Sequence, residues 1–538
     1  MKELCFILLL TNCSLLILNA QTQFQLTIGG LADDNTWPVR QAPDSGFVVA
    51  GYTNSFGAGA SDFYVVRLSN NNVIQWTKTF GSTGSDILLS MVRSASGGYA
   101  ISGETNSFGA GAFDIYAMKL DEEGGLLWAK TFGGAGEDYG ECIIQTQEGG
   151  YAIGGYTNSY GSGDFDDYIL KIDSAGNIQW MKTYGTPGYD YALYLIQTSD
   201  GGYALCGSTA FSGEGYTDFY IVKTDSNGSI QWSKTIGGAG GDYGSAIAQA
   251  DDGGFIAAGV TISFGAGEYD LYIVKLDGNG NLLWTKTIGG SDFEYLYSII
   301  KAVDGGIAAS GSTASFGAGG DDSYILKLNS AGDLLWNRTI GGVYDDNARS
   351  IIQTSDGGYL IGGETGSWGA GNSDIYIIKT DANGNSCGYT STPVPVTGNG
   401  GILGSPVSTI TSPTPSVFSP APATSIGGTL SNVCILGISK IGNEIPKSNS
   451  LSQNYPNPFN PSTKIKFDIL SVGNGRDRSV QIAVYDISGK LVEILVDANL
   501  KPGKYEVEWN AAKYSSGVYF YKLVSGDYVE TKKMILVK

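Results

Sequence analysis

Residues 284–335 read WTKTIGGSDFEYLYSIIKAVDGGIAASGSTASFGAGGDDSYILKLNSAGDLL. Four short runs, WTKTI, YSIIKA, GIAASGST and SYILKL, are separated by GG, DGG, SFGAG and NSAGD. Runs of this length and composition between glycine-rich turns are strands. Asp-Gly-Gly between the second and third is a hairpin signal, and D-G-N-G-N at 277–281 turns the preceding run into the Trp284 run. The stretch is an antiparallel meander of four strands.

The same stretch recurs along the chain. Trp76, Trp128, Trp180, Trp232, Trp284 and Trp336 follow one another at a spacing of 52 residues, with Phe24 one period before Trp76. Tyr64, Tyr116, Tyr168, Tyr220, Tyr272, Tyr324 and Tyr376 keep the register, each two residues after an Asp (Asp62 through Asp374). Phe24 to Cys387 is 364 residues, or seven periods of 52. A four-stranded sheet this small cannot bury its faces alone, so neighbours must stack; radial stacking of such units is the β-propeller. The turns group strands two to four of each unit with the Trp strand of the next, which leaves the last sheet one strand short. The N-terminal run FQLTIGG from Phe24 is the one left over and is expected to complete the sheet holding Tyr359 and Tyr376. A linear β-solenoid would need shorter coils and would leave that strand unexplained.

The expected fold is all-β: a seven-bladed β-propeller over residues 21–387, a Pro/Ser/Thr/Gly-rich linker over 388–447 (TSTPVPVTGNGG, TSPTPSVFSPAPATS), and a small Ig-like β-sandwich over 448–538. Composition agrees, with 80 glycines, 33 tyrosines and 9 tryptophans in 538 residues. Residues 24–387 carry 17 basic and 41 acidic side chains, a net of −24, whereas residues 388–538 are net +4. An acidic chain of this kind disfavours nucleic acid, which is bound by clustered Lys and Arg. With no histidine, His-based triads, His-zinc sites and haem-His ligation are excluded.

Residues 1–20 combine a short charged start, an apolar stretch from Leu4 to Leu18 and a closing Asn19-Ala20, the pattern of a secretory signal cleaved after Ala20. A lipoprotein reading at Cys13 meets a poor preceding residue in Asn12. No later run is long and apolar enough to span a membrane as a helix. Of the remaining cysteines, Cys142 and Cys206 sit in apolar strand-like runs and read as buried free thiols. Cys387 and Cys434 flank the Pro/Ser/Thr-rich segment and are expected to pair as a disulfide in an exported protein.

Repeated residues serve architecture, because an active site needs one special place. The D-x-N-G-N turns resemble the start of a calcium loop, but Ile288 stands where an EF-hand has its glutamate after Asp277, so they are read as hairpins, and no metal or cofactor is assigned. The more informative set lies between the Trp strand of one unit and the following strand: Asp34, Asp86, Asp138, Asp190, Asp242, Glu294 and Asp346, four of them followed by Tyr139, Tyr191, Tyr243 and Tyr295. Placed around one mouth of a propeller channel, these residues are a candidate ligand-binding ring in which tyrosine faces stack and carboxylates accept hydroxyl protons. Otherwise each carboxylate hydrogen-bonds loop amides. Glu104 and Glu364, and the cluster Asp164, Asp166 and Asp167, break the repetition.

The pattern W-x-K-T-x-G-G, D-G-G-Y, G-x-T-x-S-F-G, D-x-Y-x-x-K-L-D resembles the bacterial β-propeller repeat of secreted and surface proteins, and G-x-x-x-W (Gly280 to Trp284) resembles the quinoprotein repeat, whose tryptophan docks between blades. In the last ninety residues or so, NYPNPFNPST, VYDISGKLV, SSGVYFYKL and the terminal KKMILVK resemble the type A C-terminal sorting domain of the type IX secretion system, with SVGNGRDRS as a longer loop. The resemblance implies export through an outer-membrane translocon to the cell surface or the medium. The expected function is therefore a monomeric, non-enzymatic, exported propeller that binds a glycan or a protein. The alternative is a propeller enzyme, either a quinoprotein-like dehydrogenase or a carboxylate-pair glycan hydrolase or lyase.

Overall fold

The computed structural model describes residues 23–538 except 211–212, 214, 389, 405–408, 412–415, 419–422, 426–428, 436–437, 443–445, 471–477, 501 and 512–513. The expected signal and Cys13 lie outside the described residues. The described chain is all-β, and among its residues no helix is long and apolar enough to cross a membrane.

The 52-residue period produces seven small antiparallel sheets. Sheet one comprises Asp34–Gln41, Phe47–Thr53, Asp62–Leu68 and Ile74–Gly81. Sheets two to six repeat this pattern and begin at Asp86, Asp138, Asp190, Asp242 and Glu294. Sheet seven has three strands of its own, Asp346–Gln353, Tyr359–Thr365 and Asp374–Thr380. Its fourth is the N-terminal Phe24–Gly29, antiparallel to the third with Ile28 opposite Ile375. The orphan strand thus lies where the turn arithmetic puts it.

One recurring bond links consecutive sheets. A glutamine at the end of a first strand accepts an amide proton from the preceding sheet's turn: Ala95 N donates to Gln145 at 2.7 Å, Gln147 N to Gln197 and Ser199 N to Gln249 at 2.8 Å, and Val303 N to Gln353 at 2.9 Å. Ser355 N of sheet seven makes the same bond to Gln41 of sheet one at 3.2 Å, and Val39 N donates to Ser350 Oγ at 3.2 Å. The seventh sheet is therefore followed by the first.

The tryptophans act between sheets. Trp232 Nε1 donates to Gly278 O of the next sheet's turn at 3.2 Å, and Gly280, at φ +78°, lies flat against the Trp232 ring. A Cβ there would sit 3.0 Å from the indole, so the glycine of G-x-x-x-W serves the tryptophan one period earlier, not the one beside it. The lysine of D-x-Y-x-x-K is also structural: Lys275 and Lys327 are buried and pair at 2.7 and 2.8 Å with Asp252 and Asp304 of the D-G-G turns.

The expected linker is corrected. Between residues 390 and 435 the chain visits every sheet in reverse order. Thr390–Ser391, Val396–Gly398, Ile402–Gly404, Thr409–Thr411, Ser416–Phe418 and Ala423–Ser425 pair with the last strands of sheets six, five, four, three, two and one. Thr429–Ile435 then pairs with Phe24–Gly29. Each contact satisfies backbone groups on an edge that would otherwise be bare. Cys387 is disulfide-bonded and its Sγ lies 3.8 Å from Gln23 O, while Cys434 stands opposite Gln25 in the strand register. The side chain of Cys434 is outside the described residues. Cys142 and Cys206 are buried free thiols.

The C-terminal region has two antiparallel sheets. One, built on Ser462–Ile469 and Gly503–Asn510, continues sheet seven through Thr429–Ile435 and Ile438–Gly442, and the other is built on the strands Arg478–Asp486, Leu491–Leu500, Gly517–Ser525 and Tyr528–Leu536. Ile465, Phe467, Val507 and Trp509 from the first share one core with Ile482, Val484, Tyr521 and Met534 from the second. NYPNPFNPST joins them: Asn454 N donates to Tyr521 OH at 2.8 Å, Asn454 Nδ2 donates to Thr463 Oγ1 at 2.9 Å, and Ile535 N donates to Asn457 Oδ1 at 2.9 Å. These asparagines replace hydrogen bonds the proline-rich backbone cannot make.

Candidate functional site: the cavity between the first strands

The carboxylate ring is corrected first. Asp34, Asp86, Asp138, Asp190, Asp242, Glu294 and Asp346 are all 0% exposed. Each accepts the amide proton of the residue four positions earlier, at 2.6 to 2.9 Å, from Gly30, Ser82, Gly134, Thr186, Gly238, Gly290 and Gly342. Serine hydroxyls from the following hairpin complete several of them, such as Ser55 on Asp34 and Ser159 on Asp138, both at 2.7 Å. Because a buried carboxylate must be satisfied by donors within the protein, these side chains are turned into the loops and present nothing to a ligand. Asp277 behaves similarly in its turn, accepting from Asn279 N and Asn281 N at 2.8 Å.

Their burial sets a pH response. Desolvation raises the carboxyls of Asp86, Asp138 and Asp346, and pushes Asp190 and Asp322 up to about 6. A group that holds its proton more tightly when folded makes the fold lose stability as pH rises between its unfolded and folded values. Hydrogen bonds from Lys275 and Lys327 lower Asp252 and Asp304; at Asp200 burial raises the carboxyl, but Thr198 and Lys223 outweigh it and hold it at about 2. That second set supports the fold above its unfolded values and is lost on further acidification. The melting temperature should therefore rise as pH falls from 7 towards 5 and drop below about 4. A flat or continuously falling thermal-shift profile from pH 7 to 5 would contradict it.

The tyrosines of the expected ring fare differently. Tyr139, Tyr191 and Tyr295 are partly exposed and Tyr243 is exposed. They belong to two aromatic ladders at the start of the first strands. One holds Tyr139, Tyr156, Phe165, Tyr189 and Tyr191, with Tyr189 and Tyr191 stacked at 5.8 Å. The other holds Tyr243, Tyr269, Phe293, Tyr295 and Tyr297, with Phe293 and Tyr295 stacked at 6.2 Å.

Below them lies a cavity of about 380 Å³ to which the first strand of every sheet contributes. One register position supplies a lining residue from all seven: Trp37, Leu89, Glu141, Leu193, Ser245, Tyr297 and Arg349, each 52 residues from the next. Six residue types fill the seven places, although each strand opens on an acid three residues earlier. Arg349 donates through Nε to Glu364 Oε1 at 3.0 Å, and its guanidinium lies 4.6 Å from the Trp37 ring and 4.2 Å from the Tyr297 ring. Glu364 also lines a second hollow beside Tyr344, Asp345 and Asn347. Glu104, the other irregular glutamate, lies with Glu141 and Tyr156 across sheets two and three, where burial raises Glu104 to about 7 and burial with the Glu104 charge raises Glu141 to about 8. Asp164 is at the rim near Tyr191, whereas Asp166 and Asp167 are buried in sheet three, so this acidic run is not one cluster. The lining position escaped the sequence reading because its mark is variation inside a repeated strand.

Residues 453–538 match the family described as secretion system C-terminal sorting domain. Such a domain marks a protein exported by the type IX system to the cell surface or extracellular space. No curated protein matches the chain. Among solved structures, a tetra-tandem repeat in the extending region of a large adhesion protein aligns at 11% identity over 96% of this chain and 92% of that one, with a TM-score of 0.14. Trypsin-activated alpha-2-macroglobulin from Escherichia coli aligns at 9% identity over 96% and 49%, with a TM-score of 0.09. Alignments this loose carry no argument about fold or function.

Proposed function

We propose that this protein is a non-enzymatic, monomeric seven-bladed β-propeller that binds a glycan or protein ligand through its central cavity and aromatic mouth, carried outside by an Ig-like sandwich at 448–538 that engages the type IX translocon. The glutamine-to-amide bond that recurs from sheet to sheet and again from sheet seven to sheet one supports the propeller, as does the completion of sheet seven by the N-terminal strand.

The observation that carries the binding reading is the contrast between positions. Tryptophans, D-x-Y tyrosines and turn glycines are held constant because seven equal places need them, while the cavity position runs Trp, Leu, Glu, Leu, Ser, Tyr, Arg. An asymmetric lining inside a symmetric frame suits one bound molecule in one orientation.

A glycan and protein binding screen on the full chain, repeated with Trp37→Ala, Tyr191→Ala and Tyr295→Ala, tests this. Any ligand found should weaken at least tenfold in two of the three variants, and unchanged binding in all three would overturn the cavity as the site. Truncation after residue 447 should leave the protein in the periplasm, read by cell fractionation, and normal export of the truncation would remove the translocon assignment.

A further inference from the structure

Three residues beyond the cavity position the first strands carry Val92, Ile144, Ile196, Ala248, Ile300 and Ile352 in sheets two to seven, but Arg40 in sheet one. Arg40, Ile300 and Ile352 line the cavity. Six sheets are built with an aliphatic side chain at this place, so the repeated frame does not account for the arginine. Arg40 is half-buried, and its Nη1 donates to Val39 O, the carbonyl beside it, at 2.7 Å. Among the described residues no carboxylate pairs with it. Arg67, Lys275, Lys327 and Lys379, by contrast, are buried and each pairs with an aspartate of a hairpin turn. Arg349, the second cation of the cavity, is taken by Glu364. Glu141, the acid of the lining, accepts from Tyr156 and is pushed up to about 8 by burial and the Glu104 charge, whereas the Arg40 charge acts on Cys142 and Tyr194. The cavity therefore holds two guanidinium groups, one neutralised within the protein and one not.

We propose that Arg40 anchors the carboxylate of a small apolar acid whose hydrocarbon body fills the cavity. The proposal rests on the cavity being the binding site and names what enters it. A guanidinium presents its N–H groups as a planar fork that matches the two oxygens of a carboxylate. The walls around it suit an apolar body: Trp37, Leu89, Leu193, Ile300, Ile351 and Ile352 face the same space, and each stretch of hydrocarbon they cover adds to affinity. An acidic sugar fits these walls poorly, because a uronate ring carries hydroxyls on every side and aliphatic side chains leave them without partners. The volume of about 380 Å³ lies at the small end of ligand pockets, which suits a short chain and not a folded partner. A free fatty acid and the last residues of a peptide ending in leucine present this same chemistry, a carboxylate on an apolar body.

Calorimetric titration of the full chain with octanoate against octanol, N-acetyl-Leu-Leu against its C-terminal amide, and glucuronate tests the proposal. At least one of the two apolar acids should bind tenfold or more tightly than its neutral partner, and Arg40→Ile should abolish that preference. The variant should melt no lower than the wild type, because isoleucine already fills this place in sheets three, four, six and seven, and this checks that it folds. Leu193→Asp should weaken the same acid at least tenfold through the wall. Binding of octanoate alone makes the ligand a free acid, and binding of N-acetyl-Leu-Leu alone makes it a peptide end; either upholds the anchor. No binding of either acid, equal binding of acid and neutral partner, a preference that survives Arg40→Ile, or glucuronate binding as tightly through Arg40 would each overturn the proposal. A glycan or protein that depends on Trp37 and Tyr295 but not on Arg40 keeps the cavity as the site and overturns the anchor. If a ligand binds and ignores Trp37, Tyr191 and Tyr295, the cavity reading itself fails.

Discussion

Replacing Leu26 by Ala should lower the melting temperature of the repeat region by roughly 5–15 °C, and Leu26→Lys should prevent it from folding. The strand Phe24–Gly29 is covered on both edges, by Asp374–Thr380 and by Thr429–Ile435. Phe24, Leu26 and Ile28 are 1%, 0% and 0% exposed, and they share a cluster with Val39, Phe47 and Tyr64 of sheet one and Ile375 and Ile377 of sheet seven. The strand is therefore the seam between the last sheet and the first. Burying each of its three apolar side chains contributes about 1.5–3 kcal/mol, a large share of the roughly 5–15 kcal/mol by which a domain is stable. A lysine at Leu26 would also bury an unpaired charge. Leu31→Ala, at a residue 88% exposed two positions past the strand, should melt with the wild type. If Leu26→Ala did so as well, the seam would not hold the fold.

Excising residues 391–428 should make the protein self-associate and melt at a lower temperature. This segment places short strands on the outer edges of six sheets and leads into the strand on Phe24–Gly29. The excised ends, Thr390 against Ile340 and Thr429 opposite Gly29, are joined by a flexible Gly/Ser linker so that the sheets are not stretched. Six uncovered edges would then offer unpaired N–H and C=O groups to other molecules. Size-exclusion chromatography with light scattering should show larger species than the intact chain forms, and an excised protein with unchanged mass distribution and melting would contradict the edge-covering role. The disulfide at Cys387 should work in the same direction: if Cys434 is its other half, Cys434→Ser frees a loop whose closure is worth up to about 4 kcal/mol. Intact-mass measurement with and without reductant, followed by peptide mapping, identifies the pair.

Much of the fold was legible because its signals are local and repeated. Glycine turns, the Trp and D-x-Y registers and the left-over FQLTIGG run each need only a few neighbouring residues to be read. The edge-covering segment was not legible, since strands of two or three residues among Pro, Ser and Thr have no period of their own and are stabilised by partners distant in sequence, from Ile340 opposite Thr390 to Gly81 opposite Ala423. The carboxylates were misplaced for a related reason. An Asp at a strand start can face solvent or turn into its loop, and the choice depends on donors brought up by folding, such as Ser55 on Asp34 and Ser159 on Asp138. A serine recurring 21 residues after several of these acids was the available clue.

The site shows the same division. Glu104 and Glu364 stood out in the sequence as departures from repetition, but nothing local indicated that one has an arginine between two rings and the other faces a second acid. The sequence by itself determined seven copies of a four-stranded meander and an export domain, because spacing and turn chemistry act over a few residues. The tertiary structure decided which position of each copy lines the shared cavity and which charges meet there, because that depends on how seven separate strands are turned towards one another.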